Sequence, residues 1–153
     1  MQAAQQQTEH SASSSSEGKP QLVAVPPMKL QALWPHIGHL FAEVVARPGS
    51  GWTLESMVDN VLAERWQLWM VWNGKPMALC ATELGIQDDG AKVCHIRWCT
   101  GEGARDFVPV LLPPIEAWAR EEGCIGMKAV TRKGWARHLG DYKMTHVLLE
   151  KAL

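Results

Sequence analysis

The chain has 153 residues, 46% hydrophobic and 20% charged, with eight Trp, one Tyr and a formal net charge of −1. That is ordinary globular composition at a size that builds one core. The near-neutral total argues against a polyanionic partner such as nucleic acid, and no apolar run reaches bilayer-spanning length, so no membrane partner is expected.

No signal peptide opens the sequence. The four cysteines, Cys80, Cys94, Cys99 and Cys124, form no CxxC pair and read as reduced core thiols of a cytosolic product. Residues 1–20 (MQAAQQQTEHSASSSSEGKP) are dominated by Gln and Ser and have little to bury. They read as a polar arm, disordered alone or ordered by a partner, and the folded domain is expected over 21–153.

In chain order, QLVAV (21–25) is a short strand closed by Pro26 and Pro27, the latter suited to a first helical position. Leu30, Leu33, Trp34, Ile37, Leu40, Phe41, Val44 and Val45 recur at three- and four-residue steps, the stripe of a helix that Pro35 is expected to kink. His36 and His39 share that helix, but no third ligand accompanies them, so no metal is expected. Thr53 is a helix N-cap, with Trp52 and Met57 placed as a hydrophobic staple. Leu54, Met57, Val58, Val61 and Leu62 form the predicted buried face. WQLWMVW (66–72) and residues 77–84 are strands joined by Asn73-Gly74, a strong hairpin signal. Asp88-Asp89-Gly90 turns into a third strand over 92–98.

The next stretch carries the chemistry. KVCHIRW, CTGEGARD and FVPVLLPPIEAWAREEG read as strand, glycine loop and amphipathic helix. The first N–H groups of a helix lack internal partners and carry partial positive charge, so an anion, above all a phosphate, is expected over residues 101–106. Asp106 is placed to cap a helix beginning at Phe107, with Pro109 at its third position. Pro113-Pro114 predicts a kink or break, and Gly123 an end. Residues 125–130 form a strand, 134–140 a short helix, and 142–152 (YKMTHVLLEKA) a last strand. Lys128, Arg132, Lys133, Arg137 and Lys143 make this region basic, either a solvated face or a partner for phosphate.

This element order, with the glycine loop after the fourth strand, resembles the GNAT superfamily of acyl-CoA N-acyltransferases. The C-terminal RKGWARHLGDYKMTHVLLEKAL is similar to the small GNAT-like proteins of tailed bacteriophages, in Leu139-Gly140, the aromatic Tyr142 and the closing Glu150-Lys151-Ala152-Leu153. The run EAWAREEGC is similar too, and the likeness covers 21–153. It implies an α/β (α+β) fold, a mixed, mostly antiparallel central sheet with helices on both faces, in which the fourth strand splays from the fifth to make a cofactor cleft.

The resemblance further implies that acetyl-CoA is held by backbone N–H groups, here over Cys99, Thr100, Gly101, Glu102, Gly103, Ala104 and Arg105. Gly103 would lack a side chain to let the backbone approach a phosphate, in a loop where substitution costs little stability. The Gln/Arg position of the family motif falls on Trp98, and Glu102 and Asp106 add negative charge. A thioester oxygen would meet a backbone N–H in a bulge near residues 98–100. His95 or Glu83 would take the proton from the amine. The family's acidic Tyr falls near Trp135 or Ala136, leaving Tyr142 as a packed aromatic. Two functions follow. One is an acyl-CoA-dependent N-acyltransferase acting in the host cytoplasm on a small-molecule or protein amine. The other is a non-catalytic component of a phage virion, held to phage structural proteins by residues 1–20.

Overall fold

The computed structural model describes residues 18–153; the expected polar arm lies almost wholly outside them. Five strands form one sheet in the order β1-β2-β3-β4-β5. They are β1 (Gln21–Val25), β2 (Gln67–Trp72), β3 (Pro76–Ile86), β4 (Lys92–Gly101) and β5 (Gly126–Ala129). The first four pair antiparallel, and β4 pairs with β5 in parallel from Val93↔Gly126 to Ile96↔Ala129. The sheet is thus mixed and mostly antiparallel, as expected.

Strand alternation gives the sheet two apolar faces. Val25, Leu68, Met70, Leu79, Ala81 and Trp98 face α1 (Leu30–Ala46) and α2 (Leu54–Leu62). Trp69, Val71, Ala78, Cys80, Ile96 and Cys99 face α3 (Ala104–Glu121). The α1 stripe is buried as its periodicity predicts, with Ile37, Leu40, Phe41 and Val44 in the core. Pro35 sits inside α1 without interrupting it. Thr53 caps α2 in a capping box, accepting from Ser56 N–H at 3.1 Å while Ser56 Oγ receives the Thr53 N–H. Only Met57 and Val61 of the predicted α2 face are fully buried; Leu54 and Leu62 are exposed, because α2 is one short helix over the edge of the α1 layer.

Three expectations fail after β4. The helix does not begin at Phe107: Gly103 is its N-cap, and Asp106 and Phe107 N–H both donate to Gly103 C=O, at 2.8 and 3.1 Å. Nor does α3 break at Pro113-Pro114. Pro109, Pro113 and Pro114 all lie on its exposed side, where a carbonyl deprived of its helical donor can bond water. Finally, residues 142–152 form no strand; Lys133–His138 is a 3-10 turn, after which Leu139 and Tyr142 pack on the α3 core and the remainder has no regular secondary structure.

Candidate active site

β4 is longer than the sequence pattern suggests, so Cys99, Thr100 and Gly101 are strand rather than loop. Gly101 is glycine for a packing reason: a Cβ there would lie 2.5 Å from the Met77 carbonyl oxygen of β3. Gly103 is glycine for a conformational one, with φ +74° and ψ +54°. An added Cβ would meet only Asp106 Oδ2, at 3.5 Å. The expectation that substitution at Gly103 costs little is therefore corrected. A side chain in the left-handed region costs about 1–2 kcal/mol, and more for a β-branched one.

No side chain caps α3 at its start. The N–H groups of Ala104 and Arg105 therefore face the loop without helical partners, with Glu102, Gly103 and Arg105 exposed around them. This arrangement fits a phosphate: bare donors, the positive end of an 18-residue helix and one guanidinium. Glu102 and Asp106 oppose it by charge.

The pairing of β4 with β5 ends at Ile96↔Ala129, while β4 runs on to Gly101. The pairing covers the whole of β5, and the β4 edge beyond Ile96 has no strand beside it among the described residues. Register slips between Ala81↔Trp98 and Thr82↔Ile96, which makes Arg97 the bulged residue. The bulge thus lies just before the 98–100 stretch expected to contain it. Into the open edge reaches Arg47, from the end of α1, whose Nη2 donates to the Cys99 carbonyl at 3.0 Å. Burial, and then the Arg132 charge, lower the Arg47 pKa, while Cys99 and Glu43 act the other way. Thr100 is buried, and its hydroxyl donates to Glu43 Oε2 at 3.1 Å, so Thr100 offers a ligand only its backbone.

Sequence reasoning missed Glu43 and Arg47. Their signal was an acid and a base four apart at the end of an amphipathic helix, which normally marks only a solvated pair.

His95 and Glu83 are brought together. They are directly opposed on β4 and β3, and Lys128 of β5 is opposite His95 on its other side. Glu83 Oε2 accepts from Arg97 Nε at 2.6 Å. Partial burial, then Arg97 and Lys128, lower the His95 pKa against the opposing pull of Glu83. His95 is therefore held neutral at physiological pH, the form that accepts a proton. A cavity of about 350 Å³ opens beside Glu83, lined also by Trp66, Thr82, Glu64, Arg65 and Trp118.

The four thiols are all free. Cys80 is opposite Cys99 in the sheet, and their hydrogen bond together with burial raises the Cys80 pKa well above its ordinary value. Burial pushes Cys94 up to about 11. Tyr142 is packed as expected; its hydroxyl is buried without a protein partner, and burial first of all raises its pKa. Trp135 packs near Phe107, with ring centroids 6.1 Å apart, and neither it nor Ala136 supplies an acid.

Solved acetyltransferases share the overall fold of this chain. One, a probable acetyltransferase, superposes with a TM-score of 0.64 at 12% identity over 87% of this chain and 97% of its own. The chain has the GNAT acyltransferase fold. A predicted acetyltransferase from Clostridium acetobutylicum, solved with acetyl-CoA, gives 0.62 at 11% identity, over 88% and 96%. The ribosomal-protein-alanine N-acetyltransferase of Brucella melitensis biovar Abortus 2308 gives 0.61 at 7%, over 88% and 100%. At such identities the likeness is one of GNAT fold. No family profile matches the sequence, and no curated protein matches it significantly. Among the described residues no helix is long and apolar enough to cross a membrane, and no group of His, Cys, Asp or Glu could hold a metal.

Proposed function

We propose that the protein is an acyl-CoA-dependent N-acyltransferase. The observation that carries this is the end of β4, left without a neighbour beyond β5, leading to the uncapped start of α3. Acetyl-CoA, when bound, supplies an activated thioester acyl group. The residues that would hold its phosphates are Gly103, Ala104 and Arg105, through two or three backbone N–H groups and one side chain. The backbone after the Arg97 bulge polarises the carbonyl with fixed N–H donors, which need no reorganisation. His95, neutral and on the central strand, takes the proton from the acceptor amine. Glu83, fixed by Arg97 and facing the 350 Å³ cavity, attracts that amine as a cation. A thiol leaving group has a pKa of about 8.5, so its thiolate departs near neutral pH with little help from an acid. The absence of an acid at 135–136 therefore does not disable the reaction.

The second reading is a non-catalytic GNAT-fold component, in a phage particle on the likeness of the C-terminal sequence. Arg47 on the Cys99 carbonyl favours it, because that contact fills part of the open β4 edge.

Calorimetric titration with acetyl-CoA at low salt decides between them. The enzyme reading expects saturable binding by the wild-type protein. It also expects Glu102→Gln to tighten binding roughly two- to fivefold, because one exposed like charge beside a helix terminus is worth about 0.3–1 kcal/mol. No heat and no thermal shift at millimolar acetyl-CoA would sink the acyltransferase claim.

A further inference from the structure

Two of the four thiols are placed to react with one another. Cys80 of β3 and Cys99 of β4 are directly opposed in the antiparallel register, so both side chains leave the same face of the sheet, toward α3. Directly opposed residues of an antiparallel pair hold their Cα atoms about 4.5–5.5 Å apart. Disulfides span roughly 4.4–6.8 Å between Cα atoms, so a bridge fits that spacing. The two thiols are already hydrogen-bonded to each other. The other two lack this arrangement. Cys94 is opposite Leu84 on one side and Met127 on the other, and Cys124 precedes β5 and belongs to no strand pair.

Access to the pair is uneven, and this fixes which thiol reacts first. Cys80 is fully buried, and its thiol keeps its proton, held by the hydrogen bond to Cys99 and by burial. Cys99 is only half-buried, and it lies on β4 beyond Ile96, where no strand covers the edge among the described residues. A small oxidant therefore meets Cys99 first, with a resolving thiol one strand away.

We propose that Cys80 and Cys99 are a reversible thiol–disulfide pair, closed by hydrogen peroxide and reopened by a small thiol such as glutathione. Cys99 gives up its proton, and its thiolate attacks one peroxide oxygen. The O–O bond breaks, hydroxide leaves and takes up that proton as water, and Cys99 becomes a sulfenic acid. The Cys80 sulfur then attacks Cys99 Sγ, the S–O bond breaks, and the Cys80 proton leaves with the hydroxyl as a second water. Two thiols have given two electrons to one peroxide. Two glutathione thiols reverse the bridge, the first attacking the more exposed sulfur, that of Cys99, and they leave as glutathione disulfide. A disulfide open to solvent is the labile kind. Closure also acts on the end of β4. Gly101, two residues on, already packs so closely on β3 that a Cβ there would lie 2.5 Å from the Met77 carbonyl oxygen. Drawing residues 80 and 99 together therefore shifts the Cys99 carbonyl and Thr100 relative to their partners Arg47 and Glu43.

The experiment uses the full chain. Trypsin puts the four cysteines on separate peptides, because Lys92, Arg97, Arg105 and Arg120 lie between them. The wild-type protein is treated with a small molar excess of hydrogen peroxide, its free thiols are blocked, and it is digested without reduction. Mass spectrometry is expected to show peptide 66–92 joined to peptide 98–105, two hydrogens lighter than their sum. Glutathione added before blocking is expected to abolish the joined species. Cys80→Ala removes the resolving thiol, so Cys99 is expected to stop at the sulfenic acid, trapped as its dimedone adduct. Should that variant fail to fold, the wild-type peptide map decides alone. Peptide 98–105 joined to itself, to 93–97 or to 121–128 overturns the proposal. So does a wild-type protein that is not oxidised, or whose Cys99 is oxidised with no joined species. A second arm rests on the acyltransferase reading, which places the cofactor at this end of β4. There the oxidised protein is expected to bind acetyl-CoA more weakly than the reduced protein. Binding by neither form fails that reading and leaves the joined peptides standing, whereas equal binding by both refutes any control of the site by the pair.

Discussion

Arg47 is a residue whose importance lies in one hydrogen bond. Its Nη2 contact with the Cys99 carbonyl ties the end of α1 to the part of β4 that β5 does not reach. A bond to a charged donor contributes about 1.5–3 kcal/mol when its partner is buried, less here because the pair is partly exposed. Arg47→Ala is expected to lower stability by about 1 kcal/mol in urea unfolding and, by freeing the carbonyl, to tighten acetyl-CoA binding. Weaker binding would identify Arg47 as part of the ligand site instead. His95 gives a test by pH. Its folded pKa lies below the ordinary value, so on acidification the unfolded chain binds the proton first. Its contribution to stability is thus neutral above about pH 6.5 and turns unfavourable as pH falls below that. The acid limb of kcat/KM is expected below about 6.5 for the same reason, and His95→Gln should both abolish that limb and flatten the pH dependence of stability. An unchanged limb would move the base to Glu83.

At the scale of the element, α3 shows how a helix outlasts poor local propensity. Three prolines interrupt its ladder, yet it stays helical from Ala104 to Glu121. Phe107, Val108, Leu111, Leu112, Ile115 and Ala119 hold it on the sheet, and burying each large one is worth about 1.5–3 kcal/mol. The packed face wins because the prolines all fall on the opposite one. Pro114→Ala restores a donor to the Val110 carbonyl. A helical proline costs about 3 kcal/mol, whereas the entropy returned to the unfolded chain is below about 1 kcal/mol. The variant is expected to be more stable by about 2 kcal/mol, read as a rise in Tm; a fall would mean that the helix is bent to suit the proline. The start of α3 was misread for a related reason. Asp106 is a better N-cap by type than Gly103, but the left-handed turn at Gly103 places the cap three residues earlier.

Over the whole molecule, what was legible in the sequence was what repeats. The α1 stripe, the Asn73-Gly74 hairpin and the Thr53 cap each follow from spacing or turn chemistry, and the GNAT topology followed from the resemblance carried by the element order. What was not legible depends on partners distant in sequence. The Arg97 bulge needs β3 beside it, and the Arg47–Cys99 bond joins residues 52 apart. The same sheet that separates two cores also sorts the tryptophans. Trp52, Trp66 and Trp98 form a chain beneath α1 and α2, with ring centroids 5.0 and 6.3 Å apart, and Trp34 joins through Phe41. Trp69 and Trp118 meet at 5.1 Å on the other side. Trp98 stands on β4 at the start of the open edge, its indole N–H buried without a partner. Occupation of that edge is therefore expected to change the intrinsic fluorescence of the protein, and Trp98→Phe to remove most of the change.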